Sequence, residues 1–416
     1  MAVGSLTPEV TSAIDPVSTS AQRQERRERR LGRFDPSWRK PIAGLTACAP
    51  ELEDLADSFP ALLFALVSGF ADPIASDTAC AMVCEGACLR QVADRLGLPN
   101  WLRRLPAEAF GVPLPRLPLD PDFALRVINH IPRDPSAARQ WLADLGDAFT
   151  AAGPAFALWT ARHVKPGIFS EDTLMMLGAW AWYSQTPGVR GHTLLRKGWA
   201  ADMSARRALD EFTTWRRRLR LVDALGLGLE DCWLQTGSAG GYDFVPLRSV
   251  EDFLSESREM ENCLDQFADH LLVSPSYVFS IRRAGRRIAC VEIGPHSGDP
   301  ALPTIVQLRG RRNRRVQPAI WQATFAWLGS QKLVPRKPRS CRSSASRRGL
   351  ARIELWQPYL DHLAGTALEH RLRRWLVLPQ RVRTARTFDS RKPAAKAEGP
   401  TRRARARKSA QITSKD

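Results

Sequence analysis

The stretch YVFSIRRAGRRIACVEIG at residues 277–294 decides the fold class of this chain. Its two halves, 277–283 and 286–293, are rich in β-branched and aromatic residues and flank Ala284 and Gly285, which is the spacing of a two-residue hairpin turn. After a loop rich in Gly and Pro, the run TIVQLRG predicts a third short strand. We therefore expect a small antiparallel sheet in this part of the chain.

Helical patterns lie on both sides of this sheet. Ser249 predicts the cap of a helix over residues 250–272, and a second helix is predicted over 316–329. Further upstream, CWLQTGSAGGYDFVPL at 232–247 predicts a strand or two around a turn. The order helix, three antiparallel strands, helix indicates an α+β module.

The region before the module is predicted to be all-helical. Apolar residues recur there at helical spacing, and the clearest segments are 77–96, 135–152, 170–185 and 204–225. The tryptophans of this region fall on apolar faces, which favours core packing over stacking on a ligand.

Composition fits a folded chain of two to three domains. The 416 residues are 44% hydrophobic and 25% charged, which excludes a wholly disordered protein. No apolar run reaches the roughly 18 residues of a membrane span, and no secretory signal is recognised, so we expect a cytoplasmic protein. We expect a disordered leader (1–44), a helical domain (45–228), the α+β module (229–330), a basic helical extension (331–380) and a disordered basic tail (381–416).

The positive charge is concentrated near the C-terminus. The net charge is +18, and residues 331–416 hold 23 Lys and Arg against 6 Asp and Glu. Such a segment attracts polyanions by counterion release, which favours nonspecific binding of nucleic acid, DNA above all, over an anionic membrane surface. A segment that serves solubility is the alternative.

Three of the eight cysteines, Cys80, Cys84 and Cys88, recur every four residues within the predicted helix 77–96. This spacing places three sulfur atoms on one stripe of a helix. A zinc site usually draws paired ligands from turns, and no C-x-x-C pair or nearby His is present, so packing between helices is favoured. We expect no bound metal and no cofactor.

The segments REMENCLDQFADHL, SYVFSIRRAGRRIACVEIG and TIVQLRGRRNRRV, in this order, resemble the PcfJ-like family. Members carry an E-x-x-x-M/L-x-x-C-V/L element, a hairpin with S-x-R and a strand Glu, and then Q-x-x-G-x-x-N. The resemblance covers residues 250–329; position 262, often His in the family, is Asn here, and Phe267 stands where Tyr is common. It implies association with conjugative-plasmid transfer proteins and no established activity. The matching residues are Met260, Asn262, Cys263, Leu264, Ser280, Arg282, Glu292, Gln307, Gly310 and Asn313.

Two of these residues are candidates for catalysis, Cys263 as a nucleophile and Glu292 as an acid or base. A cysteine nucleophile needs a base, and His270, two turns along the same predicted helix, would be about 10 Å from Cys263. An inert, buried Cys263 is therefore favoured. For Glu292 we expect an ion pair with Arg282 across the hairpin rather than proton transfer.

The segment QLRGRRNRRV is a candidate phosphate site. Gly310 permits a tight backbone, arginines crowd the loop, and a following helix N-terminus would present free N–H groups. A solvated turn is the alternative. The candidate residues are Gln307, Arg309, Gly310, Arg311, Arg312, Asn313, Arg314 and Arg315.

These features favour a nucleic-acid-associated accessory factor without catalysis of its own, linked to mobile-element or plasmid DNA. An enzyme that uses Cys263 and Glu292 on a nucleic acid or nucleotide is one alternative. The other is a scaffold whose helical half binds protein partners.

Overall fold

The computed structural model describes residues 16–165, 168–230, 232–273, 276–331 and 344–377. A helical part comes first, and the helices that precede the sheet are α1 (Pro16–Leu31), α2 (Pro36–Cys48), α3 (Leu55–Ser58), α4 (Pro60–Val67), α5 (Pro73–Cys84), α6 (Leu89–Leu96), α7 (Pro121–Val127), α8 (Pro135–Ala152), α9 (Pro154–His163), α10 (Glu171–Gln185), α11 (Arg190–Thr193) and α12 (Ala205–Leu225).

Polar caps and prolines begin many of these helices. The side chain of Asp134 accepts from the backbone N–H of Ala137 at 2.8 Å at the start of α8, with proline as the first helical residue. Ser170 and Ser204 cap α10 and α12 in the same way. The long helices of the region lie where the 3.6-residue pattern predicts them.

The expectation of a disordered leader over residues 1–44 is wrong from Pro16 onward, and residues 1–15 lie outside the described part. Both α1 and α2 are helical, and Phe34 and Ile42 are buried. The arginine run of α1 has no apolar period, but Arg30 contacts three carboxylates, including Asp57 at 2.7 Å. The opposite charges come from residues 53–57, so local composition does not show them.

The predicted helix over 77–96 is two helices, α5 and α6. Gly86 has φ of 78°, in the left-handed region, and ends the first of them. Cys80 is half-buried, whereas Cys84 and Cys88 are exposed, so the stripe of three sulfur atoms between helices is not formed.

A five-stranded antiparallel sheet follows, and its strands pair in sequence order. The hairpin over 277–294 is present as predicted, and the strand or two expected near 232–247 extend the three predicted strands into this larger sheet. The α+β fold is therefore confirmed. The strands are β1 (Gly237–Ala239), β2 (Tyr242–Pro246), β3 (Tyr277–Arg283), β4 (Arg286–Pro295) and β5 (Pro303–Gly310).

Helices cover both faces of the sheet. They are α13 (Val250–Met260), α14 (Ala268–Val273) and α15 (Pro318–Gly329). On one face, Trp327 of α15 stacks on Phe244 with ring centroids 4.4 Å apart and contacts Phe279. On the other face, Arg287 of β4 donates to the backbone oxygen of Ser255 in α13 at 3.0 Å.

The helix predicted over 250–272 is interrupted. Ser249 and Asp252 form a capping box at its start, but Glu261 takes a left-handed conformation with φ of 50° and ends α13 at Met260. A short loop with a 3-10 turn follows before α14 begins. This loop forms one wall of the candidate site.

The chain ends, within the described part, in α16 (Ala345–His362) and α17 (Ala367–Val377). They were expected to belong to a basic extension, but both pack back on the helical part. Tyr359 and Leu372 are fully buried, Arg352 pairs with Asp223, and Arg371 pairs with Asp147. One continuous cluster of buried apolar side chains joins these helices, the helical part and the sheet. The expected tail over 381–416 lies outside the described residues.

Within the ranges described, no helix combines the length and the apolarity needed to cross a lipid bilayer.

Candidate functional site

A pocket of about 390 Å³ lies between the loop after α13 and strands β4 and β5. It brings together seven of the predicted motif and phosphate-site residues, although the chain separates them by up to 51 positions. The lining residues are Asn262, Cys263, Leu264, Phe267, Val278, Cys290, Glu292, Gln307, Arg309 and Asn313.

The register of the sheet explains the strand side of the pocket. Glu292 lies opposite Val278 on β3 and opposite Gln307 on β5, and Cys290 lies opposite Arg309. Side chains two residues apart on a strand share a face, so these residues point to one side of the sheet. The loop side depends on the left-handed Glu261, which turns the chain back over this face.

A buried ion pair anchors the loop to the helical part. Arg218 of α12 donates to Asp265 through Nε at 3.1 Å and through Nη2 at 2.8 Å, and both side chains are about nine-tenths buried. Within the loop, the Asn262 side-chain oxygen accepts from the backbone N–H of Leu264 at 3.2 Å. The loop therefore has a defined position over the sheet.

Glu292 is 2% exposed and is held by two partners. Its Oε1 pairs with Nε2 of His270 in α14, and its Oε2 accepts from Nε2 of Gln307 at 2.8 Å. The predicted pair with Arg282 is wrong, because Arg282 lies in register with Arg287 and its Nε donates to the Ser280 hydroxyl.

His270 is the residue that the sequence analysis sets aside. Along an uninterrupted helix it would lie two turns beyond Cys263, too far for a hydrogen bond to the Cys263 sulfur. The break at Glu261 moves it onto α14, where its ring contacts both Glu292 and the ring of Phe267, with ring centroids 4.8 Å apart in the latter case. A left-handed Glu leaves no clear sequence signal, so this pairing could not be predicted.

The two cysteines of the pocket differ in burial, and the prediction of a buried Cys263 is wrong. Cys263 is exposed rather than buried, and Nδ2 of Asn313 lies 3.6 Å from its sulfur. Cys290 is the buried one, and its thiol donates to Oε1 of Glu256 at 3.2 Å. Burial raises the pKa of the Cys290 thiol well above its ordinary value.

Glu256 of α13 is a second residue that sequence reasoning does not single out, although it stands at the first position of the E-x-x-x-M/L-x-x-C element, four residues before Met260. It is fully buried under the sheet, where Nε of Arg287 lies 2.8 Å from its Oε2. Burial raises the pKa of its carboxyl, and the Cys290 hydrogen bond and Arg287 oppose that shift. Two further motif residues, Met260 and Ser280, are also buried.

The arginines of the 309–315 segment divide into two groups. Arg311 and Arg312 both pair with Glu261, the latter at 2.5 Å. Arg309, Arg314 and Arg315 are exposed, and so is Arg286 at the hairpin end of β4. We call these last four residues the basic rim; within the described residues, none of their guanidinium groups pairs with a carboxylate.

The backbone of this segment differs from expectation. Gly310 is extended, with φ of −87°, and the turn is made by Arg312 and Asn313, whose φ values of 56° and 57° lie in the left-handed region. Helix α15 begins only at Pro318, which has no N–H to offer. The first N–H groups of α15 therefore belong to Ala319 and Ile320, and that of Ile320 already donates to the Gln317 oxygen at 3.0 Å.

In the part of the chain that the structure describes, no three His, Cys, Asp or Glu side chains are arranged to hold a metal ion. Comparison with family models, with curated proteins and with solved structures finds no match to this chain. The PcfJ-like resemblance accordingly stays a prediction that the motif residues carry.

Proposed function

We propose that the α+β module binds nucleic acid by contacting backbone phosphates along the basic rim, as an accessory factor without catalysis. One observation carries this proposal: four exposed arginines of β4, β5 and the following turn lie at the same end of the sheet, and within the described residues none of them pairs with a carboxylate. Arginine forks suit phosphate oxygens, and such contacts give sequence-independent affinity. A link to mobile-element or plasmid DNA rests on the PcfJ-like resemblance.

The charge elsewhere in the chain supports the same proposal. Residues 332–343 and 378–416, which lie outside the described part, hold 17 of the 61 Lys and Arg and 3 of the 43 Asp and Glu. By contrast, the described arginines Arg352 and Arg371 are used in ion pairs with the helical part. These two segments therefore carry 14 of the 18 net positive charges of the chain.

The double substitution Arg314→Ala/Arg315→Ala tests the rim. We expect weaker binding of a ten-residue oligothymidylate, with the slope of log affinity against log salt reduced by about 1.4, since each single-strand phosphate contact adds roughly 0.7. The measurement is a fluorescence anisotropy titration between 50 and 200 mM salt. Arg206→Ala/Arg207→Ala, an exposed pair at the start of α12, removes the same charge away from the rim and is the control. Equal slopes for both variants would contradict the proposal.

An enzyme is the second candidate, and the contact between His270 and Glu292 favours it. A buried carboxylate that orients an imidazole is the arrangement used in general acid–base catalysis. Under the binding proposal, a single-stranded oligonucleotide incubated with the protein is recovered intact by mass spectrometry. A product that forms with the natural chain and with Arg314→Ala/Arg315→Ala, but not with Glu292→Gln or His270→Ala, would establish the enzyme instead.

A further inference from the structure

We infer that the pocket receives one unpaired base of a single-stranded nucleic acid whose phosphates lie along the basic rim. This inference rests on the proposed function and adds the class of nucleic acid. Four features of the pocket support it: its size, its apolar walls, its amide groups and its position beside Arg309.

The pocket has the size and the walls of a site for a flat ring. Its volume of about 390 Å³ lies within the roughly 300–1,000 Å³ of small-molecule sites. Leu264, Phe267 and Val278 supply apolar surface, and Phe267 is partly exposed. An aromatic side chain in this position offers a stacking surface, which every base can use.

Two polar groups of the pocket offer acceptors to the edge of a base. Three amide side chains, Asn262, Gln307 and Asn313, reach the lining. The Asn262 amide is used by the Leu264 N–H and the Cys290 sulfur, whereas the side-chain oxygens of Gln307 and Asn313 have no partner among the described residues and can accept from a base. Unpaired bases are recognised by such hydrogen bonds on their exposed edges.

Gln307 is oriented before any ligand binds. Its Nε2 donates to Glu292, which is itself held by His270, so the amide cannot rotate freely. Within the described residues, the side-chain oxygen of Gln307 has no hydrogen-bond partner. Buried Glu292, held by the partly exposed His270, thus acts as a support that presents an acceptor to the pocket.

Arg309 connects the pocket to the rim. It lines the pocket and is also one of the four exposed rim arginines. A strand whose phosphate lies on Arg309 therefore has its base within reach of the pocket. Bases in a duplex are stacked and paired inside the helix, so a base enters most easily from a single strand.

The experiment compares two ten-residue strands of equal charge, oligothymidylate and an oligomer of abasic sugar phosphates. We expect the full chain to bind the abasic strand roughly 5- to 150-fold more weakly, which corresponds to the loss of about 1–3 kcal/mol of base stacking. The two salt slopes should be equal, because the phosphates are the same.

A variant separates the pocket from any base contact elsewhere. Cys263→Leu fills the exposed mouth of the pocket with an aliphatic side chain that offers no ring for stacking, and it should remove the preference for oligothymidylate over the abasic strand. Cys84→Leu, at another exposed cysteine, should keep the preference; thermal unfolding verifies that both variants fold. Equal affinity of the natural chain for both strands, or a preference that persists in Cys263→Leu, would overturn the inference. The salt-slope result for Arg314→Ala/Arg315→Ala decides the proposed function separately.

Discussion

Asp265→Ala is expected to lower the free energy of unfolding by about 3–5 kcal/mol, the usual cost of removing one partner from a buried ion pair. The substitution leaves the Arg218 guanidinium buried with the backbone oxygen of Leu194 as a remaining acceptor at 3.2 Å. The charge then lacks compensation in a region from which water is excluded. Urea denaturation followed by tryptophan fluorescence measures the effect.

The neighbouring pair of Arg220 and Asp269 is the matched control. It joins the same two parts of the chain, but Asp269 is 63% exposed, so Asp269→Ala should cost less than about 1 kcal/mol. Replacing both partners, as Arg218→Met/Asp265→Leu, should recover most of the lost stability, because it leaves no buried charge unpaired. A cost for Asp265→Ala as small as that of Asp269→Ala would show that the buried pair does not anchor the loop.

The sheet could be predicted because its signals are local. The two-residue turn needs positive φ at both central positions, and Ala284 and Gly285 have φ of 48° and 77°. Apolar and β-branched residues on either side then set the lengths of β3 and β4. Neither feature depends on contacts with distant residues.

The candidate site could be predicted only in part. The motif residues were found, but their partners were not, because these partners depend on the break in the helix at Glu261. His270 meets Glu292 only once that break has moved it onto α14. Glu256 occupies the first position of the E-x-x-x-M/L-x-x-C element, but its burial against Cys290 follows from how α13 crosses the sheet, which the motif does not show.

The prediction of disorder for the arginine-rich residues of α1 is wrong for a related reason. Composition favours disorder where arginine is frequent and apolar residues are few. In α1 the arginines meet Glu53, Asp54 and Asp57, which tertiary structure supplies. The composition of α1 alone does not show that these acidic partners are nearby.

Removing the two C-terminal helices together with the basic tail would also remove part of the folded core. A chain that ends at Gly329 loses Trp356, Tyr359 and Leu372, which are almost fully buried. Tyr359 also packs against Trp182 and Tyr183 of α10. Since large buried side chains each contribute about 3–5 kcal/mol, this loss approaches the whole stability of about 5–15 kcal/mol of a typical domain. Such a chain is expected to lose cooperative unfolding, so its failure to bind would say nothing about charge.

Ending the chain after Val377 is expected to leave the midpoint of thermal unfolding unchanged and to weaken the binding of nucleic acid strongly. The removed segment, 378–416, holds twelve Lys and Arg and three Asp and Glu. If it supplies six to ten phosphate contacts, the full chain loses about 10³–10⁵-fold in affinity for duplex DNA between 50 and 200 mM salt, and the shortened chain should lose far less. A further Arg314→Ala/Arg315→Ala substitution in the shortened chain should then flatten the remaining salt slope. An unchanged slope after removal of 378–416 would contradict a role for the tail and leave the basic rim and residues 332–343 as the sources of affinity.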